Sequence, residues 1–186
     1  MARHSFTQPT RDYPYAYGQV LVAPFEITLE ELKQRLKCSL DDEETALIIK
    51  PHFKGGAPAF KFTGGMLLDE HELPKVAANR ELLQETGIVC HGDVIEIYKT
   101  YRKRHHPDSG EFPIYLMLAF GCDFSKMFDP AYGETGDEEE EPMRVRFGDI
   151  TPQALWEIPT QPGKHAPFFK PYLKMLEAAV GTFGTP

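Results

Sequence analysis

Cysteine is scarce in this chain. There are three, at positions 38, 90 and 122, and no two are spaced Cys-x-x-Cys. An odd count without that spacing argues against a disulfide framework and against a cysteine-built zinc site, and predicts buried thiols in a reducing, cytoplasmic setting. Long apolar runs are missing too. No stretch approaches the roughly 18 residues a membrane-crossing helix needs, and the longest, at 112–120, has the length of a strand. The opening Met-Ala-Arg-His-Ser leads into no apolar signal core, so no export leader is expected. Basic residues are outnumbered, 20 Lys and Arg against 28 Asp and Glu, for a formal charge of −8. That balance argues against general nucleic-acid binding through a basic surface but leaves room for a local phosphate pocket.

What is present suits one globular domain. Of 186 residues, 41% are hydrophobic and 12% aromatic, enough to build an ordinary core. Residues 1–14 are polar and proline-containing and read as a flexible arm, 15–182 as a single domain and 183–186 as a tail. Strands are expected at 18–27, 45–53, 59–63, 94–101, 112–124 and 143–147, the fourth and fifth paired as a hairpin. Thr28-Leu29-Glu30-Glu31 is a capping box, and a short helix should follow it to about residue 37. Helical spacing of Phe169, Tyr172, Leu173, Leu176 and Val180 predicts a C-terminal helix. Strands before and after a central helix make a mixed α/β pattern.

That central helix is expected from Leu73 or Pro74 to Thr86. Pro74 suits its first turn, and Gly87 suits the left-handed position just past its end. Glu81 and Glu85 lie four residues apart and project about 40° from one another around the axis. Two like charges at that spacing cost a bare helix roughly 0.2–0.5 kcal/mol. A hard divalent cation between them reverses the sign, because such ions prefer carboxylate oxygens. Ala77 and Ala78, one turn back, are expected to leave room for a ligand. Leu73, Val76, Leu82 and Leu83 are expected to face the core.

Residues 64–88 hold Gly64-Gly65, then Glu72, then Arg80-Glu81-Leu82, then Gln84-Glu85 and Gly87-Ile88. This run resembles the Nudix box, Gly-x5-Glu-x7-Arg-Glu-U-x-Glu-Glu-x-Gly-U, where U is aliphatic. It departs from that pattern twice: one extra residue separates Gly65 from Glu72, and Gln84 stands where the pattern has the first Glu of a pair. The resemblance implies an α/β/α sandwich with a mixed sheet, and a hydrolase using Mg2+ or Mn2+ to cleave a diphosphate linkage. Glu81 and Glu85 match metal-binding positions, and Glu81 also matches a base in some members. Gln84 matches a metal-binding Glu, and Gly65 a glycine whose carbonyl approaches the metal. Glu72 and Arg80 match a structural ion pair.

In many members of that family the base that activates water lies on a later loop. The acidic run 137–141 is the local candidate, with Glu141 the chosen residue and 133–141 expected to be a mobile loop. A solvated acidic loop is the plainer alternative. Lys54, Arg102 and Arg104 are candidate contacts for substrate phosphate, against simple surface solubility. The expected function is hydrolysis of a nucleoside diphosphate derivative or nucleotide. The alternative is a catalytically degenerate Nudix-like domain that binds such a ligand without turnover. A small nucleotide is the expected partner, with no membrane, no general nucleic-acid binding and homodimerisation left open.

Overall fold

A computed structural model describes residues 17–35, 40–50, 59–103, 110–127 and 141–150, with backbone only at 49–50, 59–60, 102–103 and 141. The expected arm, tail and C-terminal helix lie outside these residues. Three groups of strands are found among them. β1 (Gln19–Pro24) pairs in parallel with β6 (Glu111–Ala119), which pairs antiparallel with β5 (Val94–Lys103). β2 (Glu44–Lys50) lies antiparallel between β3 (Ala59–Phe62) and β8 (Glu141–Arg146). β4 (Val89–Cys90) pairs antiparallel with β7 (Cys122–Asp123). Parallel and antiparallel pairs coexist, so the sheet is mixed.

Strand parity sorts the core into two layers, because successive side chains point to opposite faces. Leu21, Leu47, Phe62 and Leu116 meet in one buried cluster with Phe25, Phe120 and Phe147. Their neighbours Val22, Ala46 and Met117 turn the other way and pack with Ala78 and Leu82 of α2 (Pro74–Thr86). The short helix α1 (Leu29–Gln34) covers the first cluster with Leu29 and Leu32. Its capping box is formed: the Thr28 hydroxyl accepts from the Glu31 N–H at 3.1 Å, and the Glu31 carboxylate accepts from the Thr28 N–H at 2.8 Å.

Two strands differ from expectation. The run 112–124 is broken into β6 and β7, because the intervening backbone donors turn to other partners: Phe120 N–H to the Asp93 carbonyl and Gly121 N–H to that of Ile27, at 2.8 and 2.9 Å. The last strand begins at Glu141 rather than Met143, so Glu141 is a strand residue opposite Ile49 and not part of a loop.

α2 begins at Pro74, whose fixed φ suits a first turn and whose missing N–H leaves no orphan there. It ends at Gly87, held at φ 74°, where the N–H closes on the Leu83 carbonyl at 3.1 Å. The helix is rotated from the expected orientation. Ala77, Ala78 and Leu82 are fully buried, whereas Leu73, Val76 and Leu83 are 55%, 50% and 40% exposed. The two alanines do not open a ligand space; they let the helix lie close against the sheet, where Ala77 meets Val20 and Ala78 meets Val22. Burying Leu82 there contributes roughly 2 kcal/mol. Glu81 sits one turn beyond both alanines, so the same rotation carries its carboxylate inward.

Behind α2, Cys90 and Cys122 face each other across β4 and β7 as free thiols. The His91 N–H bonds to the Gly121 carbonyl at 3.2 Å, which makes Cys90 and Cys122 a non-hydrogen-bonded pair, the closer kind in an antiparallel ladder. The neighbouring Cys122 thiol brings Cys90 down to about 7, while Cys90 and burial push Cys122 up. Alkylation of Cys90 in the folded protein should therefore rise with pH to half its plateau near 7, with Cys122 protected. Peptide mapping of iodoacetamide adducts across a pH series checks this; a Cys90 midpoint near the ordinary thiol value of about 8.5 would contradict it.

Candidate active site

Arg80 organises the inner end of α2. Its Nε and Nη2 donate to the two oxygens of Glu72, each at 3.0 Å, a bidentate fork. Nη2 also donates to the Met66 carbonyl at 2.9 Å. Nη1 donates to Glu81 Oε1 and, at 3.3 Å, to the amide oxygen of Gln84. These bonds occupy all five guanidinium N–H groups. The loop from Gly65 to Glu72 is thereby tied to the helix from its far side. Within that loop the Asp69 carboxylate accepts from the His71 and Glu72 N–H groups at 2.7 and 2.9 Å. With one more residue in this loop than the box pattern has, Glu72 still meets Arg80. Burial pushes Glu72 up, but the Arg80 bonds and the Leu68 N–H at 2.6 Å outweigh it and leave the carboxyl below its usual range.

Glu81 is only 9% exposed. Burial raises its carboxyl, Arg80 opposes the rise, and the charge of Glu85 adds to it. The backbone of Gly65 lies directly against this carboxylate: a Cβ at residue 65 would stand 2.4 Å from Oε1 and 2.6 Å from Oε2. Any side chain there would have to displace the carboxylate. The Gly65 carbonyl also accepts from the Val20 N–H at 2.9 Å, which fixes the loop on β1. Glu85, one turn on, accepts from the Gly64 N–H at 2.9 Å through Oε2 and pairs with Lys61 Nζ at 3.3 Å through Oε1. Two carboxylates, a glycine backbone and two cations thus share one small region.

The other candidate residues divide. Gln84 is exposed, with its amide oxygen turned to Arg80. Arg102 has its backbone in β5 opposite Phe112, and Glu141 its backbone in β8; their side chains lie outside the described residues, as do Lys54 and Arg104 entirely. Lys61 and the Gly64 N–H were missed by sequence reading. The alternation Phe60-Lys61-Phe62 was the available signal, since a polar residue between two core-forming ones on a strand points to the opposite face. Among the described residues no three or more His, Cys, Asp or Glu side chains gather as a metal cluster. Glu81 and Glu85 nevertheless fit a hard cation: they offer oxygen donors only, and they repel each other. Carbonyl, water or substrate oxygens would complete such a shell.

Replacing Arg80 by Met should cost about 2 kcal/mol at pH 7. That lies below the roughly 3–5 kcal/mol of a fully buried pair because solvent reaches part of the site. Glu72 has its folded pKa depressed, so its contribution is present above the unfolded value of about 4.3 and is lost as pH falls through the folded one. The penalty of Arg80→Met should therefore shrink toward pH 3. Urea midpoints of both proteins at pH 7 and pH 3 check this; an equal penalty at both would contradict the pairing as the source of stability.

The sequence matches the NUDIX domain family over residues 37–169. No curated protein matches it. The fold is shared with a NUDIX hydrolase from Nitrosomonas europaea at a TM-score of 0.52 and 14% identity, over 90% of this chain and 89% of that one. An ADP compounds hydrolase is also similar, at 20% identity over 85% of this chain and 73% of that one, with a TM-score of 0.47. The family match spans more than two thirds of the sequence and contains the whole glycine–glutamate–arginine constellation just described: the chain belongs to the Nudix family.

Proposed function

We propose that this Nudix domain is a hydrolase that depends on Mg2+ or Mn2+ and cleaves a diphosphate linkage in a nucleoside diphosphate derivative or nucleotide. The observation that carries this reading is the pair Glu81 and Glu85, one turn apart and set against the backbone of Gly64 and Gly65. A diphosphate repels a nucleophilic water by its dense negative charge. A divalent ion, when bound, neutralises that charge and lowers the pKa of bound water. Glu81 and Glu85 would hold the ion, with the Gly65 carbonyl as a further oxygen donor.

Arg80 keeps Glu81 oriented and stays fixed on Glu72. Glu141 is our choice for the group that takes the proton from the attacking water. Its backbone opens β8, opposite Ile49 of β2. Arg102, Arg104 and Lys54 are retained as weaker candidates for phosphate contact. The second reading, a domain that binds the nucleotide without turnover, is favoured by Gln84, whose amide oxygen is engaged by Arg80 and adds no charge to the site.

Glu81→Gln and Glu85→Gln should each lower turnover by about two orders of magnitude or more while leaving the circular-dichroism spectrum unchanged. The check is phosphate release from a panel of nucleoside diphosphate derivatives and nucleotides with each metal. Hydrolysis near the wild-type rate in both folded variants would defeat the assignment. Binding of the panel without product in the wild type would favour the second reading.

A further inference from the structure

Glu81 and Glu85 each face a cation supplied by the chain itself, the first an arginine and the second a lysine. Arg80 is fixed by five hydrogen bonds to Glu72, Met66, Glu81 and Gln84. Lys61 meets Glu85 through a single ammonium at 3.3 Å on a flexible stem, and both side chains keep about a fifth of their surface exposed, 20% and 17%. An Arg fork is pre-organised and resists displacement; a Lys point charge moves easily between oxygen partners. Phe62, its neighbour on β3, is fully buried in the cluster with Leu21 and Leu47, so Lys61 projects from the opposite, α2-facing side, three residues before Gly64.

We propose that Lys61 is the exchangeable counter-ion of Glu85: it holds this carboxylate while the site is metal-free, leaves it when a divalent cation binds, and then rests on a phosphate oxygen of the substrate. The proposal rests on the hydrolase reading above and adds to it a positioning and phosphate-binding residue. The physical reason is charge balance. Without metal, two carboxylates one turn apart repel each other, one of them desolvated, and Lys61 offsets part of that repulsion. A divalent ion on Glu85 would put two positive charges within a few ångströms of each other, so the ammonium must withdraw. A diphosphate arriving on the metal brings the negative charge the displaced ammonium then faces. No covalent step is involved; one ion pair is exchanged for another.

Two consequences run in opposite directions, which separates this role from a merely structural one. Removing Lys61 removes a competitor for Glu85, so metal should bind more tightly. It also removes a phosphate contact, so the phosphate ligand should bind more weakly once metal is in place. Lys61→Met should tighten Mn2+ binding about fivefold, the worth of a partly exposed ion pair. It should weaken binding of inorganic pyrophosphate to the Mn2+-saturated protein about fivefold to tenfold. The metal-free melting temperature should fall in Lys61→Met, and this fall should vanish when Glu85→Gln is already present. Lys61→Arg keeps the charge and should retain the wild-type order of both affinities.

The test is calorimetric titration of Mn2+, and then of pyrophosphate at saturating Mn2+, into wild type, Lys61→Met and Lys61→Arg, with melting curves of the metal-free single and double variants. Tighter metal together with weaker pyrophosphate in Lys61→Met supports the exchange. Unchanged or weaker Mn2+ binding in a folded Lys61→Met overturns it while leaving the metal site at Glu81 and Glu85 standing. No Mn2+ binding to the wild type overturns both readings. If Lys61→Met does not fold, Lys61→Gln takes its place with the same expected order.

Discussion

The guanidinium of Arg80 is the contact on which the rest of this site depends. It joins three parts of the chain that the sequence separates: the Gly65–Glu72 loop through Glu72 and Met66, the helix face through Glu81, and the solvent edge through Gln84. Because every donor has a partner, its position is over-determined, and so is that of the Glu81 carboxylate beside it. The desolvation of Glu81 is tolerable only under this condition, since a buried carboxylate without a hydrogen-bonded cation would neutralise instead. The Gly65 backbone closes on the same carboxylate from the other side, where a larger residue would displace it. Loop, helix and sheet thus meet around one acidic group.

Local backbone chemistry made much of this legible in the sequence. Pro74 and Gly87 bracket α2 at the ends where their dihedral preferences put them, and the Thr28 capping box starts α1 as its spacing requires. The hairpin of β5 and β6 followed from alternating hydrophobicity. Orientation about the helix axis was less accessible. A count of large apolar residues turned Leu73, Val76 and Leu83 inward, whereas the close fit of Ala77 and Ala78 on β1 decided the rotation and left those three exposed. Helix rotation is set by packing against a partner surface, and a single helix sequence does not contain its partner.

The same limit explains Lys61. Its contact with Glu85 crosses 24 positions in sequence and depends on where β3 ends relative to α2, which no local pattern encodes. The insertion before Glu72 illustrates the converse. As sequence it reads as a departure from the motif, yet the ion pair to Arg80 is formed, at 3.0 Å. A break in sequence spacing need not be a break in the contact that the spacing serves.

Taken together, these features describe two carboxylates one helical turn apart, each paired with a cation of the chain itself. The most direct test is a crystal structure of the wild-type protein grown with manganese, with the ion located by its anomalous signal. The account predicts a peak at bonding distance, about 2 Å, from carboxylate oxygens of both Glu81 and Glu85, with the Lys61 ammonium withdrawn from Glu85 and Arg80 still on Glu72. A peak elsewhere, or Lys61 still paired with Glu85 and no ion between the two carboxylates at saturating manganese, would contradict it.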